Sequence, residues 1–72
     1  MSPRRFEFVA GTSSKFWEVA VNGTAVTVRF GRIGTAGQTQ TRSLENAAAA
    51  KKRAEKLIGE KTRKGYREVQ AA

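Results

Sequence analysis

An Asn-Gly pair at positions 22 and 23 lies between two runs in which apolar and polar residues alternate. Alternation sends successive side chains to opposite faces of a strand, and Asn-Gly suits the tight turn that joins two such strands, so this stretch predicts a β-hairpin. Within residues 15–21, Trp17, Val19 and Val21 share one side, while Phe16, Glu18 and Ala20 share the other. Within residues 25–33, Val26, Val28 and Phe30 oppose Thr27 and Arg29. Residues 5–10 alternate as well, with Phe6, Phe8 and Ala10 on one side and Glu7 on the other; residues 11–14 form a turn-type cluster. A second turn is marked by Gly34-Thr35-Ala36-Gly37. The Thr-rich, polar residues 38–44 that follow suit an exposed or edge strand.

The period then changes. Residues 47–64 contain no Pro and are dominated by Ala, Lys, Arg, Glu and Leu, all strong helix formers. Asn46 stands at the N-cap position and Gly65 at the left-handed position after the helix. Ala47, Ala50, Ala54, Leu57, Ile58 and the stem of Lys61 fall on one stripe. Such a helix is about 27 Å long, enough to lie across the whole sheet. Residues 66–69 suit a short returning strand. The expected fold is α+β: an antiparallel sheet of four to five strands with one long amphipathic helix across one face. Trp17, Val19, Val21, Val26, Val28, Leu57 and Ile58 are the expected core, and the other face of the sheet is expected to stay wet. The 72 residues suffice for one small domain, with an ordered core expected at about 5–70.

Composition removes whole classes of chemistry. The chain has no Cys, His or Asp, which leaves neither a disulfide framework nor a thiolate or imidazole metal site, and six Glu as its only carboxylates. Ser, Thr, Lys and Tyr have no evident activating base, so no enzyme is expected, and no cofactor or metal. No apolar run approaches a membrane span, and the basic first residues precede no signal-peptide core; a monomer in a reducing cytoplasm is expected.

The balance of fourteen Lys and Arg against six Glu gives a net charge of +8. Residues 47–72 carry +5 of it and residues 1–46 carry +3. Charge of this size works against a compact state, and a polyanionic partner is its functional reason. For the helix lysines taken alone, a solvated face that keeps the domain soluble is the favoured reading, and the net charge of the whole domain carries the nucleic-acid one.

The segment Arg29-Phe30-Gly31-Arg32-Ile33-Gly34, followed by Gly37-Gln38, is the least ordinary part of the sequence. Its glycines suggest a strand ending in a bulge and a tight turn, where a phosphate could approach the backbone closely. A ring beside a guanidinium can hold a nucleotide, the ring stacking and the Arg forking onto phosphate. By alternation, however, Phe30 shares the side of Val26 and Val28 and is then a core residue. A bulge at Gly31 would reset the parity and bring the ring to the rim.

Ser14-Lys15-Phe16-Trp17, the segment from Arg29 to Gly34, Gly37-Gln38, and Glu60-Lys61-Thr62 with Lys64-Gly65-Tyr66 together resemble the WGR domain family over about residues 6–70. The sequence looks most like short bacterial members, which stand alone or accompany proteins of the molybdate metabolism regulator type; better-studied members lie inside poly(ADP-ribose) polymerases. The resemblance implies a sheet crossed by one helix and a role at DNA breaks. There the family's signature Trp stacks on a terminal sugar, and its Arg contacts DNA or a neighbouring domain. By position, the signature falls on Phe30, Gly31 and Arg32, the polar residue and Lys that approach the DNA end fall on Ser14 and Lys15, and the Gly-Gln pair falls on Gly37 and Gln38. Phe30 replaces the signature Trp, Ser14 stands where break-sensing members often have Asn, and Ala20 where many have Gln. The resemblance includes no catalytic region, so ADP-ribosyl transfer does not follow from it.

These readings converge on a small basic module that binds nucleic acid, DNA before RNA and DNA ends among the candidates, through a glycine-bounded rim. Ser14, Lys15, Arg29, Phe30, Gly31, Arg32, Gln38 and Arg42 are the expected nucleic-acid-binding residues, with Lys15, Arg29, Arg32 and Arg42 on phosphates and Phe30 as the stacker. The alternative is a docking module that seats its basic rim on an acidic protein partner.

Overall fold

The hairpin signal is realised one residue out of step with the dipeptide. In the computed structural model, which describes residues 3–69, Asn22 closes the ladder opposite Ala25, and Gly23 and Thr24 form the two-residue loop. Gly23 has φ +63°, and among the described residues none other than glycine has a positive φ. A left-handed first position followed by an ordinary second one is the pattern of a type II′ turn, which asks for Gly at the first place.

The strands are β1 (Arg4–Ala10), β2 (Ser13–Asn22), β3 (Ala25–Arg32), β4 (Gln38–Ser43) and β5 (Arg67–Val69), and the helix α1 (Ala47–Arg63) comes between β4 and β5. They form one five-stranded sheet in the order β4-β3-β2-β1-β5, with every pairing antiparallel. The α+β architecture is the one expected. Residue 70, the expected end of the ordered core, lies outside the described residues.

Both ends of α1 follow from the sequence. The Asn46 side chain accepts a hydrogen bond from the Ala49 N–H at 2.7 Å, satisfying one of the free amides of the first turn. At the other end Lys64 caps the helix, and Gly65 follows with φ +101°. Ala50 and Ala54 are buried, and their small side chains let the helix axis approach the sheet closely. Ala47, expected on the buried stripe, is exposed.

The core under the helix joins Phe6, Trp17, Val19, Val21 and Val26 to Ala50 and Ala54, with Val28, Phe30, Leu57, Ile58 and Tyr66 partly buried around it. Phe6 was absent from the expected core; it is 1% exposed and its ring lies 5.6 Å from that of Trp17, its cross-strand partner. The helix does not cover the whole sheet. It packs on β2 and β3, and every residue of β4 is exposed. Val28 and Leu57 are therefore only partly buried, and a cleft opens along the uncovered flank.

The second correction concerns the far face of the sheet. Phe16 faces away from the helix, as alternation requires, yet it is 1% exposed. The guanidinium groups of Arg5 and Arg29 lie over its ring, 4.5 and 5.2 Å from the centroid. The backbone at Gly37 covers its edge: a Cβ there would stand 2.8 Å from Phe16 Cζ. This side of the sheet thus has a small sealed centre of its own.

Candidate nucleic-acid interface

The pairing of β2 with β3 runs without interruption from Asn22↔Ala25 through Phe16↔Gly31 to Lys15↔Arg32. The bulge considered at Gly31 is absent, so parity is kept and Phe30 stays on the side of Val26 and Val28. It is not sealed there, however. Phe30 is half-buried and lines the open cleft between α1 and the β3–β4 half of the sheet.

Register divides the expected site residues between two faces. Lys15 and Arg32 are cross-strand partners, Phe30 pairs with Trp17 and Gln38, and Arg42 pairs with Val26, so these five lie on the helix side. Ser14, Arg29 and Gly31 lie on the other side. Ser14 pairs with Val9, and its carbonyl accepts the Ile33 N–H at 3.0 Å, tying the start of the β3–β4 loop to β2. A Cβ on Gly31 would come within 2.8 Å of the Gly37 Cα, so the absence of a side chain there lets the loop fold back. Arg29 forks onto Glu18, its cross-strand neighbour, with Nη2–Oε2 at 2.9 Å and Nε–Oε1 at 3.2 Å. Glu18 also binds Arg5 Nη1 at 2.6 Å, and Arg5 Nε reaches Glu7 at 2.9 Å. The Arg29 bonds first, and then those of Arg5, hold the Glu18 carboxyl below its ordinary range.

The cleft has a volume of about 690 Å³. Trp17, Val28, Phe30 and Leu57 contribute its apolar lining, while Arg42 on the sheet and Arg53, Lys61 and Lys64 on the helix bring positive charge; Glu60 is the one carboxylate among its lining residues. Arg53, Leu57 and Lys61 recur at helical spacing on one flank of α1, and Lys64 is its C-cap. Lys61 is half-buried, with Nζ 5.8 Å from the Trp17 ring centroid and 5.3 Å from that of Tyr66. Burial draws it below the usual lysine range, and Lys64 and Lys15 add to the effect while Glu60 opposes it. Lys15 thus lies close enough to join the helix cations electrostatically. Arg32, across the ladder from Lys15, is held by the turn after it: its carbonyl accepts the Thr35 N–H at 3.1 Å and Thr35 Oγ1 at 2.7 Å.

Sequence reasoning did not single out Arg53, Lys61 and Lys64, which line the cleft. Their spacing beside the Ala50–Ala54 stripe was visible, but which flank of the helix would border open sheet depended on where α1 lies. Among the described residues, the ion pairs engage Arg4, Arg5 and Arg29 with Glu68, Glu7 and Glu18. These pairs neutralise Arg5 and Arg29 on the far face and Arg4 at the β1–β5 edge, whereas Arg67, opposite Glu7 on the far face, and the cations of the cleft and helix form no salt bridge among the described residues.

Residues 2–72 match the WGR domain model. Two proteins of Escherichia coli K12 are similar: YehF is 43% identical over 63 residues, which is 88% of this chain and 23% of YehF, and YfeS is 37% identical over 65 residues, 90% of this chain and 27% of YfeS. The chain therefore spans about a quarter of the length of these relatives. A crystal structure of a protein from Bacteroides fragilis superposes with a TM-score of 0.94 at 48% identity, covering 96% of this chain and 20% of that one. With the family model spanning almost the whole sequence and the fold shared with a close structural match, the chain belongs to the WGR domain family.

Proposed function

We propose that this domain binds nucleic acid, DNA in the first instance, along the cleft between α1 and the β3–β4 half of the sheet. One observation carries the reading: six cations free of salt bridges gather at or beside one cleft. Arg5 and Arg29 are bound to carboxylates on the far face, whereas Lys15, Arg32, Arg42, Arg53, Lys61 and Lys64 form no salt bridge among the described residues and border or adjoin one cleft, with Glu60 the one carboxylate that acts on Lys61. Charge held together in this way repels itself, and a phosphodiester chain relieves the repulsion while the counterions it carried are released. Phe30 offers a half-exposed ring beside these cations for a sugar or base. Arg29 has a different part in this account: bound to Glu18 and lying over Phe16, it supports the sheet beneath the rim.

The partly exposed Phe30 and Leu57 also fit an acidic segment of a protein with apolar anchors, which is the second reading. The test is binding to a 5′-phosphorylated duplex, a hydroxyl-ended duplex and a single strand over a range of salt. Contact with three to five phosphates gives a log–log salt slope of about −3 to −4.5 for duplex DNA. Preference for the phosphorylated end supports recognition of DNA ends. Equal weak binding to all three supports protein docking, and affinity that stays flat with salt contradicts the nucleic-acid reading.

A further inference from the structure

The binding reading leaves two features of the cleft unused. The first is its apolar floor, formed by Trp17, Val28, Phe30 and Leu57, with Arg42 on the sheet bank and Arg53 and Lys64 on the helix bank. Phosphates need the cations and not the floor. Apolar side chains and a ring are covered by the faces of bases; in a duplex those faces are stacked on their neighbours and out of reach, whereas an unpaired strand presents them. Size points the same way. The cleft holds about 690 Å³, within the range that takes one small organic molecule, or about one or two nucleotides. The fold measures only 39 × 24 × 19 Å. A duplex, whose major groove alone is about 12 Å wide, is on the scale of the whole domain and lies across the rim instead of entering. The second feature is Glu60, a carboxylate among the lining cations. In a seat for phosphates alone it repels the ligand, but a base edge that carries an amino group, such as cytosine N4, gives it a hydrogen bond to accept.

We propose that the cleft is the seat of an unpaired DNA strand, whose bases lie on the floor made by Phe30 and Leu57 while its phosphates face Arg42 on one bank and Arg53 and Lys64 on the other. The inference rests on the nucleic-acid reading and narrows it: the preferred ligand is a single-stranded segment, such as the tail of a duplex, and Glu60 favours cytosine over thymine, which has no amino group to donate. Duplex DNA alone meets the rim cations and leaves the floor empty.

The experiment measures, by fluorescence anisotropy at one salt concentration, the affinity of the folded chain for a labelled DNA hairpin that is blunt or carries a tail of about six units of dC, dT or abasic sites. An abasic tail has the phosphates of a dC tail and none of its bases, so comparing the two in the wild-type chain separates base contacts from charge. The dC tail is expected to raise affinity about tenfold over both the blunt hairpin and the abasic tail. Phe30→Leu is expected to erase most of that gain while leaving affinity for the abasic tail unchanged. Glu60→Ala is expected to reduce the preference for dC over dT, and thermal midpoints confirm that both variants fold. Equal affinity for dC and abasic tails overturns the proposal and leaves the binding reading standing, as does a blunt hairpin that binds as tightly as the dC-tailed one. A gain from bases that Phe30→Leu leaves whole also overturns it. Binding to none of the four DNAs overturns both the proposal and the binding reading.

Discussion

Replacing Gly37 with Ala tests how the rim is held. Gly37 has φ +72° and sits where the β3–β4 loop folds back onto β3. Two costs add at this position. The first is the left-handed backbone, which costs a residue with a Cβ about 1–2 kcal/mol. The second is steric: the new methyl would press on the Phe30 carbonyl oxygen and stand 2.8 Å from Phe16 Cζ and 3.0 Å from the Phe30 carbonyl carbon. A backbone carbonyl cannot escape by changing rotamer, and Phe16 is sealed at 1% exposure, so the overpacking adds about 1–3 kcal/mol. Gly34 is the internal control, since it has φ +95° but open space where its Cβ would be, and it incurs only the first cost. With about 4–8 °C per kcal/mol for a domain of this size, Gly37→Ala is expected to lower the thermal midpoint by roughly 8–40 °C and Gly34→Ala by roughly 4–16 °C. Thermal melts followed by circular dichroism, with urea titrations to compare stability at one temperature, measure both. If the two variants agree within about 0.5 kcal/mol, the usual spread of surface substitutions, the claim that the loop is clamped over Phe16 is wrong.

Three further outcomes follow from the same structure. Glu18→Gln is expected to destabilise the domain by about 1 kcal/mol at pH 7, because Arg5 and Arg29 lose their shared carboxylate. The folded-state pKa of Glu18 is lowered, so its contribution is fully present above the ordinary value near 4.5 and is lost as pH falls through the depressed one; urea titrations across that range should show wild type and variant converging in acid. Asn46→Ala removes the bond to Ala49 and should cost about 1 kcal/mol, read as a lower thermal midpoint, while leaving DNA affinity alone. Arg32→Ala should weaken DNA binding and flatten the salt slope by about one unit, with a thermal midpoint close to that of wild type; a large loss of stability would mark Arg32 as structural.

Much of the fold could be read from local signals because the physics involved is local. Asn46 and Gly65 bound the helix through hydrogen bonds and backbone angles within a turn of themselves. The hairpin at residues 22 to 25 sets the β2–β3 register, and that register already places Arg29 opposite Glu18. Counting outward from Asn22-Gly23 as the loop would instead set Arg29 opposite Phe16, so the Arg29–Glu18 pair became legible only with the turn on Gly23 and Thr24. The burial of Phe16 was not legible in this way. Its cover comes from two arginines on flanking strands and from a loop that folds back past Gly31, and that loop's path is a tertiary outcome. The helix half of the candidate site was hidden for a similar reason. Arg53, Lys61 and Lys64 become neighbours of Phe30 only because α1 lies over β2 and β3 and leaves β4 bare.

The central claim is that the unpartnered cations around the cleft form one landing surface. An NMR titration of the folded domain with a short 5′-phosphorylated duplex tests it residue by residue. The account predicts shifts concentrated at Lys15, Phe30, Arg32, Arg42, Arg53, Lys61 and Lys64, with Arg5, Glu18, Thr27 and Arg29 on the far face left still. Shifts centred on that far face, or spread evenly over both, would contradict it.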